Sequence, residues 1–222
     1  MTFTTTEYAK PKRPRWVLPA LGGIVVIALI AALVLALTKQ DDEQPTSPAS
    51  TSAPNAMDLT AAPAKLEWKL IDGVRLPYSK VDGPAKVAGP LATGYSHTPQ
   101  GAVVAAWQIS TRLAASADYE RVMSAQVRGT EAERTQVRLE VANVRNLTPE
   151  QFSARFTQPI GFQIVSYDPT FAQMYFAVQS PDGGYDFTAR AVLWDGKDWQ
   201  YQLVSGLPVL PNSTSVDGFT LF

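Results

Sequence analysis

One long apolar run near the N-terminus stands apart from the shorter patterned segments that follow it. The run covers Val17–Leu37, 21 residues without a charge, and a helix of that length spans roughly 31 Å, the thickness of a bilayer hydrocarbon core. A cleaved signal peptide is the alternative, but its apolar region would be shorter and would end at a small-residue site, which residues 37–40 do not provide. The pattern therefore predicts an uncleaved transmembrane helix at residues 17–37.

Charges around this helix predict its orientation. Four basic residues precede it, whereas Lys39 alone follows closely and is met by three acidic residues at 41–43. The positive-inside rule then keeps residues 1–16 in the cytoplasm as a basic stub and exports the rest of the chain. We therefore expect a single-pass protein of the cell membrane with an extracytoplasmic C-terminal domain. The predicted flanks of the anchor are Lys10, Lys12, Arg13, Arg15 and Trp16.

Residues 38–64 are rich in Pro, Ser, Thr, Ala and Asp and contain few large apolar side chains. Such composition predicts a disordered, semi-rigid linker that lifts a domain off the membrane. A structureless stretch of this length is uncommon inside a compact fold, so the exported domain is expected to cover residues 65–222.

The sequence pattern in the first half of that domain predicts a short strand, an irregular strap and then helices. Apolar residues alternate at Leu66, Trp68 and Leu70 and are followed by repeated turn signals, which indicates a short strand and then an irregular strap up to His97. Thr98-Pro99 then offers a helix cap and a first helical residue, and Gly101 in the first turn would let the strap approach closely.

Two further helices are expected, with one ambiguous segment between them. The first runs over residues 118–127, and the second ends near Phe156 after a threonine cap at Thr148 and Gln151 three residues later. Residues 131–146 fit a strand through the alternation of Val137, Leu139 and Val141, but their polar spacing also fits a helix.

From residue 159 onward the apolar period changes to two. Four alternating segments are separated by Asp-Pro, Pro-Asp-Gly-Gly and Asp-Gly-Lys-Asp turns, which predicts a four-stranded antiparallel meander. Helices followed by a meander make an α+β domain with helices packed on one sheet face. The tail ends in Phe219–Phe222, which we interpret as a short extra strand or a docking strip.

Composition limits the chemistry of the chain. It has no cysteine and one histidine, which excludes disulfides, thiolate chemistry and multi-histidine metal sites. Residues 41–222 carry 14 basic and 19 acidic residues, a poor composition for binding nucleic acid. We therefore predict no cofactor, no metal site and no nucleic-acid partner.

Three motifs could form a catalytic or binding site, and each also has a purely structural interpretation. His97 could act as a general base, but it is more simply a strap histidine bonded to backbone near the helix start. Trp194 and Trp199 flank a turn and could bind a sugar or peptide, or cover the sheet end by cross-strand packing. Aspartates at 168, 182, 195 and 198 could form a hydrolytic pair, but all lie in turns, where aspartate bonds local backbone.

These residues resemble two known groups. Trp68, Asp72-Gly73, residues 76–79, Gly83-Pro84 and residues 94–106 are similar to a family of uncharacterised actinobacterial membrane proteins with the pattern W…G…LPxS…GP…G(F/Y)xHTPxGAxxAA. More broadly, the architecture resembles the bitopic assembly component of conjugative type IV secretion systems. That resemblance implies a cystatin-like, nuclear transport factor 2-like exported domain and a role in transfer machinery.

The first functional hypothesis is a non-enzymatic assembly or interaction module of a cell-envelope apparatus, with other envelope or transfer-apparatus proteins and a second copy of the chain as candidate partners. The alternative is an exported domain that binds a small lipid-like ligand between sheet and helices; an envelope regulator or sensor is a third. A cavity of several hundred Å³ with converging polar groups would favour the alternative. A site filled by Trp107, Phe162, Phe176 and Phe187 would favour the scaffold. The candidate interaction or pocket residues are Tyr95, His97, Trp107, Tyr167, Arg190, Trp194, Trp199, Phe219 and Phe222.

Overall fold

The computed structural model describes residues 57–222, so the predicted stub, the transmembrane helix and residues 38–56 of the linker lie outside the described residues. Residues 57–64 belong to the predicted linker, but they lie against the domain. Gln100 Nε2 donates to the carbonyls of Asp58 and Ala61 at 2.8 and 3.1 Å, and the Ala64 N–H donates to Asp82 at 2.8 Å. Among residues 57–222, no helix combines the length and apolar character needed to cross a membrane.

The central element is helix α1, which begins where the sequence predicts it. The Thr98 side chain accepts a hydrogen bond from the Gly101 N–H at 3.0 Å, and proline occupies the first turn. Nearly every residue from Pro99 to Leu113 is buried, so the helix is enclosed on all sides. The helices of the described residues are α1 Pro99–Ala115, α2 Tyr119–Gln126, α3 Glu131–Val144 and α4 Pro149–Arg155.

The ambiguous segment forms helix α3, and a capping box explains why. Thr130 accepts from the Glu133 N–H, while the Glu133 carboxylate accepts from the Thr130 N–H at 2.6 Å. Helix α4 starts with the same arrangement between Thr148 and Gln151, and it ends before Phe156 as the sequence predicts. In both cases the cap supplies partners for amide groups that a helix start otherwise leaves unpaired.

Within residues 57–222 the main sheet has six strands, so the predicted four-stranded meander is only its middle. They are β5 Val127–Arg128, β6 Gly161–Asp168, β7 Phe171–Gln179, β8 Tyr185–Trp194, β9 Trp199–Gln202 and β10 Thr220–Leu221. Strands β6 to β9 form the meander, with a bulge between Ile164 and Ser166. Strand β10 adds to β6, and β5 pairs in parallel with β9, which gives the order β10-β6-β7-β8-β9-β5. The two added strands have two residues each, so they are too short to show a hydrophobic period in the sequence.

The predicted irregular strap is instead largely two short hairpins. Residues 66–79 pair through the turn at Asp72-Gly73, where both residues have positive φ. Pro77 is a typical strand breaker, but it lies inside the second strand. It is tolerated there because the strand is at a sheet edge, where the N–H that proline lacks is not needed for pairing. The strap strands are β1 Leu66–Ile71, β2 Val74–Ser79, β3 Lys86–Ala88 and β4 Leu91–Thr93.

The two faces of the sheet have different coverings. Helix α1 packs on the face that presents Phe162 and Phe176, which are fully buried. The segment after strand β9 crosses the opposite face, where Tyr175 Oη donates to the carbonyl of Pro208 at 2.6 Å. That segment then returns as β10. The sheet is therefore sandwiched between α1 and the C-terminal segment.

Candidate functional site: a cleft between helix α1 and the sheet

A cleft of about 630 Å³ opens where the C-terminal half of α1 and helix α3 meet strands β7 to β9. This volume lies within the range of small-molecule sites. Its mouth also includes the end of α4. The residues that line its floor and walls include Trp107, Ser110, Val137, Thr188, Arg190 and Leu203.

The alternation of β8 places the polar floor of the cleft. Thr188 pairs with Phe176, and Arg190 pairs with Met174. Phe176 and Met174 face α1, so Thr188 and Arg190 share that face. Phe187 lies on the opposite side, where it stacks on Phe219 with ring centroids 5.0 Å apart. Phe187 is therefore not one of the residues that fill the space beside Phe176, because the one-residue offset reverses its face.

Arg190 brings an incompletely partnered cation to this floor. Its Nε donates to Ser110 Oγ at 3.2 Å, and its Nη1 donates to the carbonyl of Ala189 at 2.9 Å. Within residues 57–222 the ion pairs are those of Arg128 and Arg138, so Arg190 has no carboxylate partner there. A guanidinium has five N–H donors, and donors of Arg190 remain for a ligand.

Thr188 adds a second polar group. Its Oγ1 is inaccessible to solvent and has no hydrogen-bond partner in the described part of the chain. Buried hydroxyls are nearly always bonded, so an unpaired one beside a cation is unusual. Sequence inspection did not single out Thr188. The available signal was its position, two residues before Arg190 on the same face of a strand.

Apolar side chains form the walls. Trp107, mostly buried, packs on Phe176 with centroids 5.0 Å apart, and its Nε1 donates to the carbonyl of Arg75 at 3.3 Å. Val137 from α3 and Leu203 after β9 line the opposite side. The cleft therefore joins a polar floor to apolar walls.

Charged groups surround the mouth. Glu140 and Arg155 are exposed lining residues, and Glu133 is held in the cap of α3. Asp186 accepts from Asn212 Nδ2 at 3.1 Å. Three carboxylates and one guanidinium at the mouth make it a poor entrance for a polyanion.

The opposite end of the same sheet face is closed by aromatic rings. His97 stacks on Trp194 with centroids 4.0 Å apart and ring planes 9° from parallel. Its Nε2 donates to the carbonyl of Pro169, in the turn between β6 and β7, rather than to backbone at the start of α1. Trp199 is fully buried, packs edge-on against Trp194 at 5.3 Å and donates from Nε1 to Ser96 at 2.9 Å. Both tryptophans are thus placed as the cross-strand packing hypothesis requires.

Asp198 ties the strap to this closed end. Its carboxylate accepts from the N–H groups of Gly94, Tyr95 and Trp199 at 2.7, 3.2 and 3.0 Å. Burial raises the pKa of Asp198 above its ordinary value, although these donors oppose the shift. Turn aspartates elsewhere bond locally: Asp168 accepts from Thr170, which lowers the pKa of Asp168.

The remaining sequence candidates are part of the internal packing. Tyr95 is buried, and its Oη has no hydrogen-bond partner among residues 57–222; burial raises the pKa of Tyr95 well above the ordinary value. Burial also raises the pKa of Tyr167, whose ring packs at 6.2 Å from Trp199. Phe222 lies among Trp68, Phe162 and Phe176. Of the nine candidates, the structure places Trp107 and Arg190 in the cleft and the others outside it.

Metal chemistry has no evident site here. No group of three or more His, Cys, Asp or Glu residues within 57–222 is arranged to hold a metal ion. The single histidine is also absent from the lining of the cleft. What the arrangement offers is a polar anchor within an apolar recess.

An α+β domain with such a cleft defines a class of fold but no activity. The chain belongs to the family described as a domain of unknown function, DUF8175, which matches residues 36–221. Comparison with curated proteins and with solved structures finds no match.

Proposed function

We propose that this protein is a single-pass membrane protein of a cell envelope whose α+β domain is an extracytoplasmic, non-enzymatic binding module. The apolar run at 17–37 and the basic flank before it support the anchor and its orientation. The observation that carries the binding function is the open cleft between α1 and the sheet. The histidine and Asp198 hold the strap to the sheet, whereas Asp168 and Asp195 bond local backbone. We therefore assign the domain a role in recognition.

The proposed setting is an envelope apparatus of conjugative transfer or type IV-like secretion. Support comes from the order of anchor, linker and α+β domain, and from a long helix packed across one face of an antiparallel sheet. Both features resemble the nuclear transport factor 2-like assembly components of those systems. Exposed apolar side chains such as Leu70 and Leu139, 65% and 58% exposed, give the domain contact points for other envelope proteins or a second copy.

The absence of cysteine makes the topology directly testable. Two variants of the full chain each carry one new cysteine, Thr5→Cys in the stub and Val209→Cys at a side chain that is 94% exposed. In intact cells a small membrane-impermeant maleimide should label Val209→Cys, and Thr5→Cys only after lysis. Labelling in the reverse pattern would overturn the proposed orientation.

The assembly role is tested in the same membranes. A photoreactive residue at position 70 or 139 should crosslink the chain to a second copy or to another envelope protein, whereas one at Thr188 inside the cleft should not. If neither position 70 nor position 139 gives a crosslink to a second copy or to another envelope protein, the assembly role is contradicted. The proposed binding function of the cleft is not affected by that result.

A further inference from the structure

The cleft combines features that select one chemical class of ligand. We propose that it binds a small amphiphile with a single carboxylate head, held by Arg190 at the floor, and an apolar tail along the walls. This inference rests on the binding function proposed above, and it names the ligand of that same site.

The head group follows from Arg190. Its guanidinium is half-buried, has no carboxylate partner among residues 57–222 and uses Nε and Nη1 on Ser110 and Ala189. A carboxylate matches the fork of a guanidinium and forms charge-assisted bonds with it. A neutral or cationic head would leave the positive charge uncompensated in a recess partly shielded from water.

Thr188 lies on the same face of β8, two residues before Arg190, but its Oγ1 is closed to solvent. Thr188 therefore lines the cleft as a neighbour of the head group and not as a donor to it. The guanidinium of Arg190 is already held by Ser110 and Ala189 before any ligand arrives, as a preorganised site requires.

The walls and the mouth of the cleft indicate the tail of the ligand and the net charge of its head group. Trp107, Val137 and Leu203 offer apolar contact above the floor. Carboxylates of Glu133, Glu140 and Asp186 at the mouth oppose a phosphate or other polyanion more strongly than a monoanion. A monocarboxylate with an acyl or aryl tail satisfies both conditions.

The test uses the full chain in phosphatidylcholine nanodiscs, with empty nanodiscs as the blank for partition into lipid. Calorimetric titrations compare octanoate, octan-1-ol and octylammonium, which share a tail and differ in the head. Octanoate should bind saturably and on the order of tenfold or more tightly than octanol. Octylammonium should bind more weakly than either. A parallel titration with 3-phenylpropanoate distinguishes an aryl from an acyl source, and saturable binding of either acid supports the carboxylate class.

Variants assign the effect to the floor. Arg190→Gln should reduce the preference for octanoate over octanol to about one, because the charge-assisted bonds are lost. Arg121→Gln, at an exposed side chain of α2 outside the cleft, is the matched control and should keep the preference. Thr188→Val should change octanoate binding little, because the Oγ1 of Thr188 is closed to solvent. If circular dichroism shows that Arg190→Gln does not fold, Arg190→Lys replaces it, and a reduced preference is expected because lysine lacks the fork.

Three results would overturn the inference: octanoate heats equal to those of empty nanodiscs, equal affinity for acid and alcohol, or a preference that survives substitution of Arg190. None of these depends on the orientation of the chain in the membrane. A failed ligand and a failed topology are therefore separate outcomes.

Discussion

Strand β8 runs between two regions of the same sheet face that differ in how their polar groups are used. At the end near Trp194, His97 from the strap and Trp199 from β9 pack against the strand, and His97 bonds the carbonyl of Pro169 in the turn before β7. At the end near Thr188, the cleft remains open, and Arg190 has N–H donors there without a partner among residues 57–222. The strongest chemical candidates by residue type, a histidine and an aspartate, lie at the closed end.

The comparison shows that residue chemistry alone does not locate a site. His97 and Asp198 are reactive in principle, but their hydrogen bonds join the strap to the sheet. Arg190 is less conspicuous, yet its guanidinium has bonding capacity left for a ligand. Spare donors next to open volume define a binding site better than the identity of the side chain.

The two ends should differ most in the loss of stability caused by a glycine-to-alanine substitution, which adds one methyl group. A Cβ at Gly101 would lie 2.0 Å from the carbonyl oxygen of Ser96, which also accepts the bond from Trp199. Gly101→Ala should therefore lower the free energy of unfolding by about 3 kcal/mol or more, since backbone must move. Urea unfolding of the full chain in nanodiscs, followed by tryptophan fluorescence, measures the effect.

Gly129→Ala is the matched control beside the open cleft. Its new Cβ would meet Glu133 Oε2 and Leu203 Cδ1, each at 2.8 Å, and both are ends of flexible side chains. A cost of about 1–2 kcal/mol is expected, because Leu203 can rotate away but displacing Glu133 breaks its bond to the Thr130 N–H. Equal costs at the two glycines would contradict the contrast between a closed and an open end.

The second prediction concerns pH at the closed end. Asp198→Asn should cost about 1–2 kcal/mol at pH 7, because an amide oxygen cannot accept all three N–H groups. Burial raises the folded-state pKa of Asp198, so its protonation favours folding as the pH falls from that pKa towards the unfolded value. The stability gap between wild type and Asp198→Asn should therefore widen on acidification over that window.

Asp168→Asn provides the opposite slope. Hydrogen bonds from Thr170 lower the folded-state pKa of Asp168, so its contribution is present above the unfolded pKa and is lost as the pH falls through the folded one. Urea midpoints between pH 7 and the acid limit of reversible unfolding measure both slopes. If stability depends on pH with the same slope for both aspartates, burial does not raise the pKa of Asp198.

The smallest expected effect lies at the open end. Thr188→Val should raise the free energy of unfolding by up to about 1 kcal/mol, because it removes a buried hydroxyl without a partner. Ser110→Ala, whose hydroxyl donates to the carbonyl of Ala106 at 2.7 Å and accepts from Arg190, should instead lower it. A loss of stability in Thr188→Val would mean that Oγ1 has a partner in solution.

Local signals predicted much of the helical part correctly. Thr98-Pro99 and Thr148 with Gln151 begin α1 and α4 where expected, because caps act over three or four residues. The same kind of cap, Thr130 with Glu133, begins α3, in a segment that the sequence pattern leaves open between strand and helix. The close approach expected at Gly101 is also confirmed.

Long-range features escaped prediction for a common reason. Strands β5 and β10 have two residues each, and their residues pair with partners 74 positions away for β5 and 58 or 60 positions away for β10. The face on which Phe187 lies depends on which side α1 packs, which no local pattern encodes. The same choice of side turned Thr188 and Arg190 inward.

The sequence by itself determined the apolar run, the basic flank, the caps, the meander and the exclusion of thiol chemistry, since each depends on composition or on neighbours a few residues apart. Only the tertiary structure decided which face of the sheet meets α1, which aspartate is buried and where space remains. Those outcomes depend on contacts between residues such as Ser110 and Arg190, which are distant in the chain and meet only after α1 packs on β8.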